Sequence, residues 1–504
     1  MAPIMHSVEG ADWVLLKALF WESNKCLKVM DLFRCVQPGL SQITSAELDD
    51  VVNQLYLLRR TMIAFADMFP LHTKAIEAHL NHLDMALPSL SVALDVIQRN
   101  CDPRYPFDDA IWDRLLYISA GRDNPGLELV DRLKLFTKFF DVLYSALVQD
   151  PTFTWRKAEG IRVQIMDLRE HEGMRVPSVL KTVFVSFSTL PAARTRRQPP
   201  SPPHWAIETV DLNPKIASPF ESHGESKSFG PYGRWNQFKI PDNSKLLFRR
   251  SFNNDAIAII VFINCHDNMP YLMLRSTIEI TPYYDCRPLS AISITRCKTA
   301  LHLTRWSNRR YCWTLWAVLQ FRYFEELVVI HCTLLALKAQ SSLLTNVLSP
   351  DENVVRDEVK IWERDIKDCG VGHKLAIYRD EMTRTKRLYS YVACGQRLPA
   401  YMPAWTIFFT DRGAKPRMEC VDDYTVIVHN AVLYKFADRY TTSRHKPRHF
   451  EIQFKHPRGK TYFGERGLCV RCLERRGRAD YYAENRVMKR ILEDLYRQTH
   501  KNPR

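Results

Sequence analysis

The sequence predicts a multidomain α+β protein: an N-terminal helical bundle followed by two antiparallel β-barrel-like domains, each closed by a C-terminal helix. Three observations support this prediction. Apolar residues recur at helical spacing through the first 180 residues, later residues form short β-branched and aromatic runs, and a succession of strands ending in a helix occurs twice. A chain of 504 residues also exceeds the usual size of one hydrophobic core.

Residues 1–180 are predicted to form the helical bundle. Thr44 and Glu47 fit a capping box at the start of one long helix. Apolar residues then follow at helical spacing: Val51, Leu55, Leu58, Met62 and Phe65. Because long helices with short connections pack side by side, the pattern favours an antiparallel bundle.

Residues 190–243 interrupt the helical pattern. They are rich in Pro, Ser and Gly and show little periodicity, which is typical of a linker. Strand-like runs after it predict a first β domain over 244–342 and a second over 372–504, the latter with a C-terminal helical extension. The polar segment 343–371 between them is predicted to be a helical connector.

The most apolar long run, residues 312–340, marks the end of the first β domain. Alternation places one set of its residues on a single strand face: Trp313, Leu315, Ala317, Leu319 and Phe321. From Tyr323 the period becomes helical. The uncharged run 327–337 is much shorter than the roughly 20 residues that span a bilayer, so we predict no transmembrane segment. The run is interpreted as a strand and a core-facing helix, with His331 and Cys332 as packing residues.

Six or seven short antiparallel strands closed by a helix describe a pleckstrin-homology-like (PH-like) barrel, so the sequence predicts two such domains in tandem. Three stretches also resemble, taken together, a family of uncharacterised proteins from filamentous ascomycete fungi: residues 55–94, 315–340 and 375–410. Members of that family have a helical N-terminal part and a β-rich C-terminal part. The resemblance implies a fungal source and an intracellular protein, and it transfers no activity and no functional residue.

Charge is distributed unevenly along the chain. Residues 1–180 hold 19 Lys and Arg against 24 Asp and Glu, a net charge of −5; the remaining 52 basic and 32 acidic residues give +20. A basic C-terminal part favours an anionic partner, namely an acidic protein surface, acidic phospholipid headgroups or, less favoured, nucleic acid. A solvated basic surface without a dedicated ligand is the alternative.

The strongest candidate site is a basic patch in the second β domain, on the two loops that flank the predicted strand HFEIQF. Six residues form it: Arg444, Lys446, Arg448, Lys455, Arg458 and Lys460. If the loops lie together, these cations can hold phosphate groups or acidic side chains. Solubilising charge beside an edge hairpin would give the same pattern.

The sequence contains no complete catalytic motif. Arg458–Thr461 (RGKT) lacks the first glycine of a phosphate-binding loop, and Asp108, Asp109 and Asp113 stand where carboxylates cap a helix. The pair Cys469 and Cys472 has zinc-like spacing, but its surroundings favour a helix. We therefore predict no cofactor and no metal.

These observations favour a non-enzymatic interaction or scaffold protein. An enzyme with a site that the sequence conceals and a protein associated with nucleic acid remain the alternatives. The thirteen cysteines lie mostly singly in apolar segments, and we see no signal peptide; both point to the cytoplasm, with the nucleus or the membrane periphery as alternatives.

Overall fold

The structure of the protein is a computed structural model. The described residues are 11–101, 104, 107–120, 127–150, 152–174, 203–212, 218–220, 225–232, 244–253, 255–278, 281–341, 348, 352, 356–368, 371–394, 400–410, 417–420, 425–438 and 449–454. The chain divides into two compact units. Unit 1 comprises residues 1–202 and 235–286, and unit 2 comprises residues 203–234 and 287–504.

The described part of the chain contains eight α-helices and sixteen strands. The helices are α1 (Ala11–Val36), α2 (Gln42–Met68), α3 (Thr73–Asn100), α4 (Asp109–Ala120), α5 (Leu129–Leu147), α6 (Trp155–His171), α7 (Trp205–Asp211) and α8 (Phe324–Gln340). The strands up to α8 are β1 (Lys227–Phe229), β2 (Ser244–Phe252), β3 (Ile257–Asn264), β4 (Pro270–Ile278), β5 (Thr281–Pro288), β6 (Ile292–Cys297), β7 (Ala300–Ser307) and β8 (Cys312–Gln320). Those after α8 are β9 (Glu358–Asp368), β10 (Val371–Asp380), β11 (Lys386–Cys394), β12 (Pro403–Phe408), β13 (Arg417–Cys420), β14 (Thr425–His429), β15 (Tyr434–Lys435) and β16 (His449–Phe454).

The N-terminal part is helical, as the sequence predicts. Helix α2 packs on α1 and α5, while α3 packs on α1, α5 and α6. The predicted capping box is wrong by three residues, because α2 is capped by Ser41, whose hydroxyl accepts from the Thr44 amide at 3.4 Å. The Glu47 carboxylate instead accepts a hydrogen bond from the indole Nε1 of Trp112 at 3.0 Å, which ties α2 to α4.

Unit 1 also contains a four-stranded antiparallel sheet with the order β2-β3-β4-β5. Its hydrophobic core is continuous with that of the helices, and five sheet residues belong to it: Ala258, Ile260, Phe262, Met273 and Cys286. Alternate residues of β3 therefore face the helices, as the period of a strand requires. Ile259 and Val261 point to the opposite face and are also buried.

A group of buried ions, the Asp67 cluster, joins the sheet of unit 1 to α2. It consists of Arg59, Asp67, Arg249, Asp255 and Arg275. Asp67 accepts from Arg249 and also from Arg275, whose Nε lies 2.5 Å from Oδ1. Asp255 accepts from Arg59 at 3.1 Å and from Arg249 at 3.3 Å. Burial raises the pKa of the Asp255 carboxyl, but the attraction of Arg249, Arg59 and Arg275 and a hydrogen bond from Ser251 together outweigh burial, so the pKa lies below its usual value.

The described residues of unit 2 form two sheets and two helices. The smaller sheet has the order β1-β8-β7-β6, and the larger has the order β13-β14-β16-β9-β10-β11-β12-β15. Helix α8 lies against β6, β7 and β12. It is buried on all sides and not along one stripe, because strands that precede it in the sequence (β6 and β7) and a strand that follows it (β12) pack against it. The prediction of a strand followed by a core-facing helix is confirmed.

The β-rich part differs from the prediction in how its strands close. The described strands form three open sheets, and none closes into a barrel, since β5 and β6 are edge strands of different sheets. Closure of each domain by a C-terminal helix is also not shown. Helix α8 contacts strands that precede it and a strand that follows it in the sequence, so it does not close the first domain alone. The helix predicted near the C-terminus lies outside the described residues.

Several segments predicted to lack strands contain them. β9 lies within the predicted connector 343–371, because ten of its residues pair with β10 and this pairing outweighs a polar, helix-like composition. Within the predicted linker 190–243, α7 is fixed by the buried Trp205, and β1 pairs with β8. None of the helices in the described ranges combines the length and apolar character that a bilayer crossing requires.

Candidate functional site

The predicted basic patch lies outside the described residues. All six members are concerned: Arg444, Lys446, Arg448, Lys455, Arg458 and Lys460. The strand between the two groups is described as β16, which pairs with β14 on one side and with β9 on the other. Its six residues place its two ends about 20 Å apart. β16 is therefore an internal strand of the large sheet, not an edge strand.

Asp108 and Asp109, which the sequence analysis singled out, accept hydrogen bonds from backbone amides. Asp108 caps α4, since its Oδ1 accepts from the Ile111 amide at 2.9 Å, and Asp109 accepts from the Ser41 amide at 3.1 Å. Cys469 and Cys472 lie outside the described residues. No group of three or more His, Cys, Asp and Glu that could hold a metal occurs in the described ranges.

A second group of buried ions, the Arg296 cluster, lies in unit 2 and consists of Arg296, Glu358, Asp380 and Arg387. Glu358 on β9 accepts two hydrogen bonds from Arg387 on β11, each 2.8 Å long. Asp380 on β10 accepts from Arg296 on β6 and, through its other oxygen, from the Thr383 amide at 2.7 Å. Both carboxylates are paired, so this cluster holds β6 to the large sheet.

His331 and Cys332 pack beside this cluster, as the sequence predicts. Burial lowers the pKa of His331 to about 3, and the nearby charges of Arg296 and Arg387 add to the shift. Burial also raises the pKa of the Cys332 thiol to about 12. A neutral imidazole and a protonated thiol in the core are packing groups.

The small sheet of unit 2 presents an exposed face with aromatic side chains. Trp306 on β7 and Trp313 on β8 are directly opposite each other, with ring centroids 5.9 Å apart in an edge-to-face arrangement. Trp306 is 48% exposed and Trp313 52%, and Leu315 on the same face is 38% exposed. Large apolar side chains usually avoid such exposure in groups, which makes this face a candidate for binding.

Two arginines and a tyrosine form the turn next to this face. The turn from Asn308 to Tyr311 is fixed by the Tyr311 amide, which donates to the Ser307 carbonyl at 2.7 Å. Arg309 and Arg310 are exposed, and Tyr311 is 80% exposed. We call Trp306, Arg309, Arg310, Tyr311, Trp313 and Leu315 the hairpin surface.

The sequence pattern does not predict the hairpin surface, because strict alternation places Trp313 and Leu315 on the same face as Ala317 and Leu319. A β-bulge at Trp316 divides it: Trp313 and Leu315 face solvent, whereas Ala317 and Leu319 are buried. The available signal was the charge pattern. Between Asp285 and Glu325 the chain contains seven Lys and Arg and no acidic residue.

The fold thus defines a protein with a helical N-terminal part followed by β-rich domains. Residues 235–357 match the N-terminal, and residues 359–467 the C-terminal, of two models for a PH domain found in tandem in fungal proteins. The C-terminal half of the chain therefore carries tandem PH-like domains of the kind found in fungal proteins, which confirms the resemblance. None of the curated proteins and none of the solved structures compared with the chain matches it.

Proposed function

We propose that the protein is a non-enzymatic interaction or scaffold protein whose tandem PH-like domains dock on a protein partner, on acidic lipid headgroups, or on both. The observation that supports this proposal is the pair of adjacent matches to fungal tandem PH domains. Such domains fit an interaction role in general. Within unit 2, the Arg296 cluster connects β6 of the first matched range with β9, β10 and β11.

The basic patch is the proposed docking site in the second domain. Arginine and lysine side chains bind phosphate and carboxylate groups through charge-assisted hydrogen bonds. The patch divides into two groups: Arg444, Lys446 and Arg448 before β16, and Lys455, Arg458 and Lys460 after it. Because the ends of β16 are about 20 Å apart, each group is tested as a separate unit.

The test measures binding of the full chain to two anionic probes, phosphatidylcholine vesicles containing phosphatidylserine and a polyglutamate peptide. One variant carries Arg444→Glu and Lys446→Glu, and another carries Arg458→Glu and Lys460→Glu. The matched control, Arg60→Glu with Arg114→Glu, makes the same change in net charge at exposed positions of α2 and α4. We expect at least one patch variant to lose about 30-fold in affinity, since each cation near an anionic surface contributes about 1 kcal/mol.

Two results would count against the proposal. If the full chain binds neither probe at low salt, anionic docking is wrong. If both patch variants bind like the control variant, the patch is not the docking site. Stronger binding to a double-stranded oligonucleotide than to either probe would favour nucleic acid as the partner instead.

A further inference from the structure

The hairpin surface combines apolar aromatic area with positive charge at one end of the small sheet. All six residues from Asn308 to Trp313 are exposed. The exposed face continues along the sheet through Leu315 on β8 and Phe229 on β1, which is 43% exposed.

The charge of this region is of one sign. The stretch between Asp285 and Glu325 has no acidic residue, and its seven basic residues include the buried Arg296, which is paired with Asp380. Arg309 and Arg310 on the turn are exposed. The electrostatic complement of the hairpin surface is therefore an anionic partner.

We propose that the hairpin surface binds the interfacial region of an anionic membrane, with Trp306, Tyr311 and Trp313 at the level of the headgroups and Arg309 and Arg310 on anionic lipids. The inference rests on the proposed docking function and names a partner and a second site for it. It assigns membrane contact to the first PH-like domain, separately from the basic patch of the second.

Two properties favour a membrane over an acidic protein. Trp and Tyr are concentrated at membrane interfaces, because their rings are apolar while the indole N–H and phenol O–H form hydrogen bonds with water and headgroups. Arginine side chains can keep their charge at the headgroups while their methylene groups cover apolar surface.

The first experiment tests the charge of the hairpin surface. The full chain is sedimented with phosphatidylcholine vesicles, with and without phosphatidylserine. The variant Arg309→Glu with Arg310→Glu is expected to lose at least about 30-fold in binding to the anionic vesicles. Arg60→Glu with Arg114→Glu is again the control for net charge, and equal losses in the two variants would contradict the proposal.

The second experiment tests insertion of the aromatic rings. With anionic vesicles whose acyl chains are brominated, tryptophan fluorescence of the wild type should be partly quenched. Trp306→Phe with Trp313→Phe should remove this quenching while the chain stays bound. Trp306→Ala with Trp313→Ala should bind about tenfold more weakly, whereas Trp21→Ala, at a 50% exposed position of α1, should bind like the wild type.

Unchanged quenching in the Trp306→Phe and Trp313→Phe variant would overturn the proposal. It would also be overturned if the hairpin variants lose binding to polyglutamate but keep binding to vesicles, which would indicate an acidic protein. If only the patch variants lose vesicle binding, the proposed function stands and this inference fails. If only the hairpin variants lose it, the inference stands and the basic patch is not the membrane site.

Discussion

The two sheets of the first PH-like region differ in what covers them. Strands β2–β5 and β6–β8 all lie in the range 235–357 that matches one family domain, yet β2–β5 shares a core with the helices of unit 1, whereas β6–β8 belongs to unit 2 with the large sheet. A domain defined by sequence similarity is thus divided between two packing units. The family match reflects the order of the strands in the sequence, whereas the division into units reflects which surfaces bury those strands.

The two clusters of buried ions, one in each unit, also differ from each other. In the Asp67 cluster three arginines share two carboxylates, while in the Arg296 cluster two arginines meet two carboxylates. Loss of a carboxylate should therefore cost more in the first cluster, because more positive charge remains buried without a partner. Four expected outcomes test this contrast and its limits.

The largest effect is expected for Asp67→Ala. It leaves Arg249 and Arg275 with Asp255 as the remaining carboxylate, and we expect a loss of about 5 kcal/mol in the free energy of unfolding of unit 1. Native-state hydrogen exchange should show faster exchange in α2 and β2–β5. Asp131→Ala breaks an exposed pair with Lys134 and should cost less than about 0.5 kcal/mol.

Glu358→Ala is expected to have the next largest effect. It removes both hydrogen bonds accepted from the buried Arg387, at a cost of about 3 kcal/mol. Exchange should increase in β9–β11 and β6, while α2 and α5 stay protected. If Glu358→Ala instead accelerates hydrogen exchange in α2 and α5 as strongly as in β9–β11 and β6, the contrast between the two clusters is wrong.

His331 gives unit 2 a dependence on pH. Its pKa is lowered to about 3 in the folded chain, against 6.5 for the ordinary side chain, so the unfolded chain takes up a proton that the folded chain does not. Stability is thus full above pH 6.5 and decreases as the pH falls towards 3, by on the order of 2–4 kcal/mol.

His331→Leu should remove this slope. Urea denaturation at several pH values between 6.5 and 3 checks it, with near-ultraviolet circular dichroism as the measure of folding. An equal slope in the variant would show that other groups carry the acid sensitivity of unit 2.

The smallest effect on stability is expected at the exposed tryptophan pair. Trp313→Ala should lower the free energy of unfolding by only about 0.5–1.5 kcal/mol, because the edge-to-face contact with Trp306 is solvent-exposed. Thermal unfolding measures this change. A much larger loss would mean that the pair is needed for folding, and the vesicle experiments would then rely on the Phe variants.

Sequence periodicity was reliable where one face of an element is buried. Val51, Leu55 and Leu58 of α2 are all buried, as the helical spacing predicts. It failed for β9, whose polar composition suggested a helix, because pairing with β10 and β16 decides the structure of that segment. For the candidate sites, the sequence predicts the charged loop residues of the basic patch, but it does not predict the exposed aromatic face of the hairpin surface.

By itself, the sequence determined the helical N-terminal part, the change to strands, the strand-to-helix transition before Phe324 and the positive charge of the C-terminal part, because these depend on neighbouring residues. Only the tertiary structure decided which charges are buried together, since Asp67 and Arg275 lie 208 residues apart and Arg296 and Asp380 lie 84 apart. It also decided that Trp313 faces water while Trp316 is buried. A bulge in the pairing of β7 with β8 sets that orientation, because the extra residue, Trp316, moves the following residues of β8 to the other face, which strict alternation does not predict.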